Sequence, residues 1–333
     1  MSNNEQEFAP TPPSRALHRF AVLSAVATFA LVFIGGLVTS TGSALAVPDW
    51  PLAFGKLIPH LEGGVRFEYG HRVAAGVVMI LTAILALWTG RVERRRWVRN
   101  TALAAIGLVV IQAILGGLTV LLQLPLPMAV AHAATAQAAC CLMVAIALFT
   151  NPSFARGPRL EADDGRPGLA ALTTLTTVAI YVQILIGAVM RHLGAGLAIP
   201  DFPLAFGRLV PPFTSIYVAI NFAHRCGALV VAALVVWTVG RVIRTYRGNP
   251  ILRRSALLLL ALLFVQIILG ALTIWSDRAV LPTTAHVAVG AGVLAASFAL
   301  TVRVYALRGR AGASESATAA MPTRRSLDSQ VTA

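Results

Sequence analysis

The chain has 333 residues, 57% hydrophobic and only 12% charged, with a mean hydropathy of +0.77. A soluble domain carries roughly 25% charged residues, so a water-covered globule is excluded and a bilayer is the expected solvent. The net charge of +14 invites a nucleic-acid reading, but the basic residues cluster in short segments between apolar runs, which is the positive-inside pattern instead.

Met1 to Ser14 are polar and contain proline, and no small-residue cleavage site follows the first apolar run, so no cleavable signal peptide is expected. Apolar spans then follow at about 19–41, 68–90, 101–123, 128–150, 169–190, 217–240, 255–275 and 280–303. Each is near the ~20 residues that a transmembrane helix needs. Basic residues precede the first span (Arg15, Arg19) and follow every second one. These clusters are Arg91, Arg94, Arg95, Arg96 and Arg99; Arg156, Arg159 and Arg166; and Arg241, Arg244, Arg247, Arg253 and Arg254. The last is Arg303, Arg308, Arg310, Arg324 and Arg325. All five segments fall on one side, which places both termini in the cytoplasm. The other side has two long loops, about 42–67 and 191–216, and two short ones. Cys140, Cys141 and Cys226 lie in or near apolar runs, so no disulfide framework is expected.

The chain repeats itself at an offset of 152–154 residues. GSALAVPDWPLAFGKLIP from Gly42 matches GAGLAIPDFPLAFGRLVP from Gly194, and YGHRVAAGVV from Tyr69 matches FAHRCGALVV from Phe222. QAILGGLTV from Gln112 matches QIILGALTI from Gln266, and AHAATAQAA from Ala131 matches AHVAVGAGV from Ala285. Each repeat holds four spans, an even number, so the halves share one orientation. The expected fold is an all-α membrane protein, with eight transmembrane helices arranged as two tandem four-helix bundles. A pseudo-two-fold axis near the membrane normal relates them. The expected organisation is an N-terminal cytoplasmic tail at 1–16, a first half at 17–150, a cytoplasmic linker at 151–168, a second half at 169–305 and a disordered cytoplasmic tail at 306–333.

Each half places two histidines near the start of its second and fourth spans, His71 with His132 and His224 with His286. An ionisable residue inside a membrane points to function by default. A lone one is as well explained by helix packing, but two matched pairs at equal depth are not. His18, His60 and His192 have no repeat partners and read as solvated or interfacial. Zinc or copper normally takes three or four ligands, whereas each half offers two imidazoles and no carboxylate cluster. Two imidazoles on facing helices suit a six-coordinate heme iron. Gly76, Gly116 and Gly117 in one half, and Gly227, Gly270, Gly290 and Gly292 in the other, leave room for a large ring, although small residues also serve plain helix packing. Arg72 and Arg225 follow the first histidine of each pair. They are candidates for a charge-assisted bond to a heme propionate, with interfacial snorkelling as the alternative. The halves differ one turn earlier, where Glu68 stands opposite Asn221. At i, i+3 from His71, Glu68 is the candidate to move protons or to stabilise positive charge on a substrate. Glu62 reads as solvated.

These features resemble the heme A synthase family over about residues 17–305: eight spans in tandem halves, four histidines, Glu68-Tyr69-Gly70-His71-Arg72, and the Pro48-Asp49-Trp50-Pro51-Leu52 loop. The resemblance implies an oxidoreductase that converts the C8 methyl of heme O to a formyl group, supplying heme A to a terminal oxidase. It implies a first half that accepts substrate heme through His71, His132 and Arg72, with Glu68 catalytic. It implies a second half that holds heme b through His224, His286 and Arg225. Implied partners are heme O, membrane lipid, a heme O synthase and a quinol or other electron donor. Many members of the family carry cysteines beside the Pro-Asp motif. Here those positions are Val47, Ala53, Ile199 and Ala205, so the chain resembles a cysteine-lacking branch. The apolar loop residues read as lids over the hemes or as interfacial anchors. Two other functions fit the histidines. A diheme b-type electron-transfer cytochrome leaves Glu68 unexplained, and a heme transporter or chaperone holds heme only transiently.

Overall fold

The computed structural model describes residues 14–152, 154 and 165–319, those beyond 308 by their backbone alone. All eight expected helices form. They are α1 (Arg15–Ser40), α2 (Val65–Val92), α3 (Arg96–Leu121), α4 (Leu126–Phe149), α5 (Leu169–His192), α6 (Ile216–Thr245), α7 (Pro250–Trp275) and α8 (Val280–Ala319). Each is long and apolar enough to cross a membrane. The helix starts carry ordinary signals. Ser14, Ser215 and Asn249 cap α1, α6 and α7 with their side chains, and prolines stand in the first turns of α4 and α7. Gly42 and Gly194, with φ of 68° and 72°, end α1 and α5 in the left-handed conformation that terminates a helix, at matching places in the repeat.

The last helix, α8, continues through Ala319, into the stretch from 306 expected as a tail; 320–333 lie outside the described residues, as do 1–13 and the cluster residues Arg156 and Arg159.

Within each half, consecutive helices pack together and the fourth returns to the first. The first half closes on Leu17, Ala21, Leu85, Met143 and Ile146, the second on Leu169, Val235, Leu259, Leu294 and Leu300. The second half adds hydroxyl contacts, Thr176 to Thr238 at 2.8 Å and Thr177 to Ser297 and Thr301 at 2.8 and 2.9 Å. In lipid such contacts stand in for the hydrophobic drive that water would supply. The seam between halves is made by α1 with α8, α4 with α8 and α4 with α5. The α8 span is accordingly 50% buried, whereas α3 and α7 are 17% buried and present Leu103, Val110, Ile114, Leu258 and Phe264 outward. Those exposed apolar side chains face the lipid that covers them.

Candidate heme-binding site

The histidines sit at one end of the helices, the end that carries both Pro-Asp loops. His71, His132 and His286 are each the seventh residue of α2, α4 and α8, and His224 is the ninth of α6. The four rings share a seat. A Cβ placed on Gly35 would lie 3.2 Å from His71 Cε1, on Gly116 3.2 Å from His132 Cε1, on Gly187 2.8 Å from His224 Cε1, and on Gly270 3.1 Å from His286 Cε1. Each imidazole therefore lies against a glycine of the preceding helix, where any larger residue crowds it. Gly116 and Gly270 were expected to leave room for a large ring and instead seat an imidazole; Gly35 and Gly187, which match at the offset of 152, were not singled out from the sequence. Gly76 contacts nothing of this kind, Gly117 accommodates the Trp50 ring, and Gly227 and Gly290 accommodate Gln183 and Gln266.

His71 and His132 stand at matching positions of α2 and α4, and His224 and His286 near the starts of α6 and α8. Among the described residues no group of three or more His, Cys, Asp or Glu is arranged to hold a bare metal ion, which leaves the paired imidazoles as the available ligand sets. The ring nitrogens differ between halves. His224 Nδ1 lies 3.0 Å from the Gln183 amide, which also donates to His224 O at 2.7 Å. His286 Nδ1 lies 3.2 Å from the backbone carbonyl of Gln266. A partner on Nδ1 orients the ring and selects which nitrogen is offered to iron. In the first half His71 Nδ1 is buried without a hydrogen-bond partner among the described residues. Gln112, the repeat mate of Gln266, bonds instead to His132 O (2.7 Å) and to the Thr135 hydroxyl, and the position matching Gln183 is Leu31.

Beside each pair, an arginine clamps the adjoining loop. Arg72 donates to Asp49 O (2.7 Å), Leu52 O (2.9 Å) and Val47 O (3.0 Å), and pairs with Glu68 at 2.7 Å. Arg225 donates to Asp201 O (2.8 Å), Leu204 O (2.8 Å), Ile199 O (2.9 Å) and Asn221 Oδ1 (3.0 Å). A guanidinium has five N–H groups, so each has one left for the propionate that the sequence suggested. The loops are tight hairpins. Phe54 and Gly55, and Phe206 and Gly207, have positive φ between the bridged pairs Ala53–Lys56 and Ala205–Arg208. Asp49 accepts from Phe54 N (2.7 Å) and Gly55 N (2.8 Å), and Asp201 accepts likewise from Phe206 N and Gly207 N. The N–H groups of Gly55 and Phe54 hold the Asp49 carboxyl below the usual carboxylate range, and those of Gly207 and Phe206 do the same for Asp201. Val47, Ala53, Ile199 and Ala205 are at most 2% exposed. The three cysteines are free, so apolar burial and the arginine clamp hold these loops without covalent links.

Glu68 is 4% exposed. A buried carboxylate costs several kcal/mol unless it is paired. Here Oε1 takes the Arg72 bond and Oε2 accepts Val47 N at 2.9 Å. Asn221 meets the opposite surroundings, its amide donating to Ala195 O (2.9 Å) and Gly196 O (3.1 Å). The acid and the amide are thus matched to what each loop presents, an N–H in the first half and carbonyls in the second. Glu62 and His60 are exposed as expected. His18 is not simply solvated, because its Nδ1 lies 3.1 Å from Ala147 O. His192 belongs to the end of α5 rather than to a loop, within electrostatic reach of His132.

Comparison with known proteins adds an independent line. A family model described as cytochrome oxidase assembly protein matches residues 18–65 and 67–298. The chain is 32% identical over 267 residues to a heme A synthase of Symbiobacterium thermophilum, covering 78% of this chain and 85% of that one. It is 28% identical over 278 residues to the heme A synthase of Shouchella clausii, covering 80% and 89% of the two chains. It is also 28% identical over 280 residues to that of Listeria monocytogenes, covering 80% and 88%.

Proposed function

The chain belongs to the cytochrome oxidase assembly protein family, and from that membership we propose that it is a heme A synthase, a multi-pass membrane oxidoreductase acting on heme O in heme A biosynthesis. The observation that carries the reading is the pair of glycine-seated histidines in each half, at matching places in the repeat. Heme supplies the redox-active iron, and the chain supplies its ligands. In our reading His224 and His286 hold a resident heme b. The Gln183 amide and the Gln266 carbonyl fix their rings, as a cofactor that stays bound requires. His71 and His132 receive heme O, and His71 lacks the Nδ1 partner that holds each second-half ring in place.

Glu68 is the chemical group that the second half lacks. One turn before His71, it presents a negative charge that stabilises positive charge developing on the substrate as the C8 methyl is oxidised to a formyl group. Arg72 and Arg225 position the Pro-Asp loops over their sites. A plain diheme cytochrome accounts for the histidines but leaves Glu68 only its loop contacts to Arg72 and Val47. The deciding experiment co-expresses the protein with a heme O synthase and extracts the pigments. Heme A is the expected product, and recovery of unchanged heme O with heme b alone overturns the assignment.

The basic clusters put both termini in the cytoplasm and the Pro-Asp loops outside. Reporter fusions at Gly165 and Pro200 should therefore signal cytoplasmic and external locations respectively. The reverse pattern would invert the site relative to the membrane.

A further inference from the structure

The halves carry different charge at the Pro-Asp end. At the offset of 152, Thr39 and Ser40 of α1 correspond to Arg191 and His192 of α5. At the offset of 154, Leu124 corresponds to Arg278. Neutral positions of the first half are thus cationic or ionisable in the second.

Arg191 closes α5 and reaches across the seam, where its Nη2 donates to Gly36 O at 3.1 Å and to Ser40 Oγ at 2.8 Å on α1. It is part-buried, and among the described residues no carboxylate pairs with it. Arg278, in the turn between α7 and α8 with a φ of 61°, lies over the chain that follows α5, its Cδ 3.4 Å from where a Cβ on Gly196 would stand. Gly36, whose carbonyl Arg191 binds, packs against α8 beside His286, since a Cβ there would lie 3.4 Å from Val287 Cγ1 and 3.6 Å from Thr284 Cγ2. Two cations at this end, with no carboxylate ion-paired to either among the described residues, are unbalanced. Charges in such places pair with something. A carbonyl and a hydroxyl occupy only one side of the Arg191 fork, and a planar guanidinium is shaped to take a carboxylate.

We propose that Arg191 and Arg278 form an anion seat at the Pro-Asp end of the second half, which takes a carboxylate of the group held by His224 and His286. This rests on the reading that those histidines bind heme, whose propionates are then the carboxylates within reach. A lipid phosphate offers the same chemistry to a guanidinium and is separated by the experiment. The seat accounts for the one-sided charge, since a resident group must be retained whereas a substrate must leave. It also supplies free N–H donors, which Arg72 and Arg225 have largely committed to the loops.

The test loads the purified full-length protein with heme b or with its dimethyl ester, which keeps ring and iron but loses both carboxylate charges. The wild type should hold the free acid about tenfold or more tightly than the diester. The double variant Arg191→Gln, Arg278→Gln should lose that preference while keeping a low-spin spectrum. Arg278→Gln alone, at an exposed turn residue, should lose part of it and serves if the double variant does not fold. Equal binding of acid and diester by the wild type overturns the proposal, as does a preference that survives in the variants. Phospholipid that co-purifies with the wild type and not with the variants, without discrimination between acid and diester, overturns the propionate assignment in favour of a headgroup. Failure of the underlying reading is separate, because the low-spin spectrum would then survive His224→Ala with either pigment.

Discussion

His224→Ala and His286→Ala are each expected to strip the purified protein of its stably bound heme b. One imidazole cannot sustain a six-coordinate low-spin iron, and neither pocket offers a replacement. His224 and His286 lie against Gly187 and Gly270, and among the described residues their ring nitrogens meet the Gln183 amide at His224 and the Gln266 backbone carbonyl and side-chain amide at His286. Removing an outer-shell partner of a metal ligand typically costs ~10–100-fold in affinity, and removing the ligand itself should cost more. Gln183→Leu, which copies Leu31 of the first half, provides the graded control and should fall within that outer-shell range. His71→Ala and His132→Ala should leave the heme b spectrum in place and lose heme A formation. Heme content per protein and the low-spin absorption bands decide the matter. Unchanged spectra in both second-half variants would refute the assignment of the halves.

Glu68→Gln should lower heme A output by something like the ~10²–10⁴ that loss of a catalytic acid–base group costs, with both hemes still bound. The structure sharpens this expectation. Both Glu68 oxygens accept from donors, Val47 N and Arg72, so a glutamine must turn its NH₂ toward one of them. The substitution therefore loosens the first loop as well as removing the charge. Amide hydrogen exchange at Val47 separates the two effects, because a purely structural role would couple lost output to faster exchange in every Glu68 variant. The converse change, Asn221→Glu, sets a carboxylate against Ala195 O and Gly196 O. It should weaken the second loop without creating a second active half. Near-normal heme A production by Glu68→Gln would reduce Glu68 to a loop clamp and shift the favoured reading toward an electron-transfer cytochrome.

The aromatic side chains of the loops show how tertiary packing is written into small residues. Trp50 lies over Gly117, where a Cβ would come within 2.6 Å of the indole. At the matching place the second half has the smaller Phe202 opposite Ala271, and its indole comes instead from Trp275, whose ring stands 6.1 Å from Phe202. The repeat alignment contains this exchange, but only the fold shows that Trp50 and Gly117, sixty-seven positions apart, are one packing unit.

The sequence by itself determined the membrane class, the eight spans to within a few residues, the repeat, and the places of the four histidines and of Glu68 within it. These are properties of hydropathy and period, which act over one helix or between copies of one segment, and they survive reading in one dimension. Tertiary structure alone decided the partners of the polar groups. Arg72 and Arg225 grip loop carbonyls 20 to 26 residues away, Gln183 reaches His224, Arg191 crosses 155 positions to Gly36, and Gly35 and Gly187 prove to be the seats of rings on neighbouring helices. A guanidinium or an amide in a low-dielectric interior must find an acceptor wherever the packed helices place one. That acceptor is set by which helix ends meet, and no local pattern in the chain encodes it.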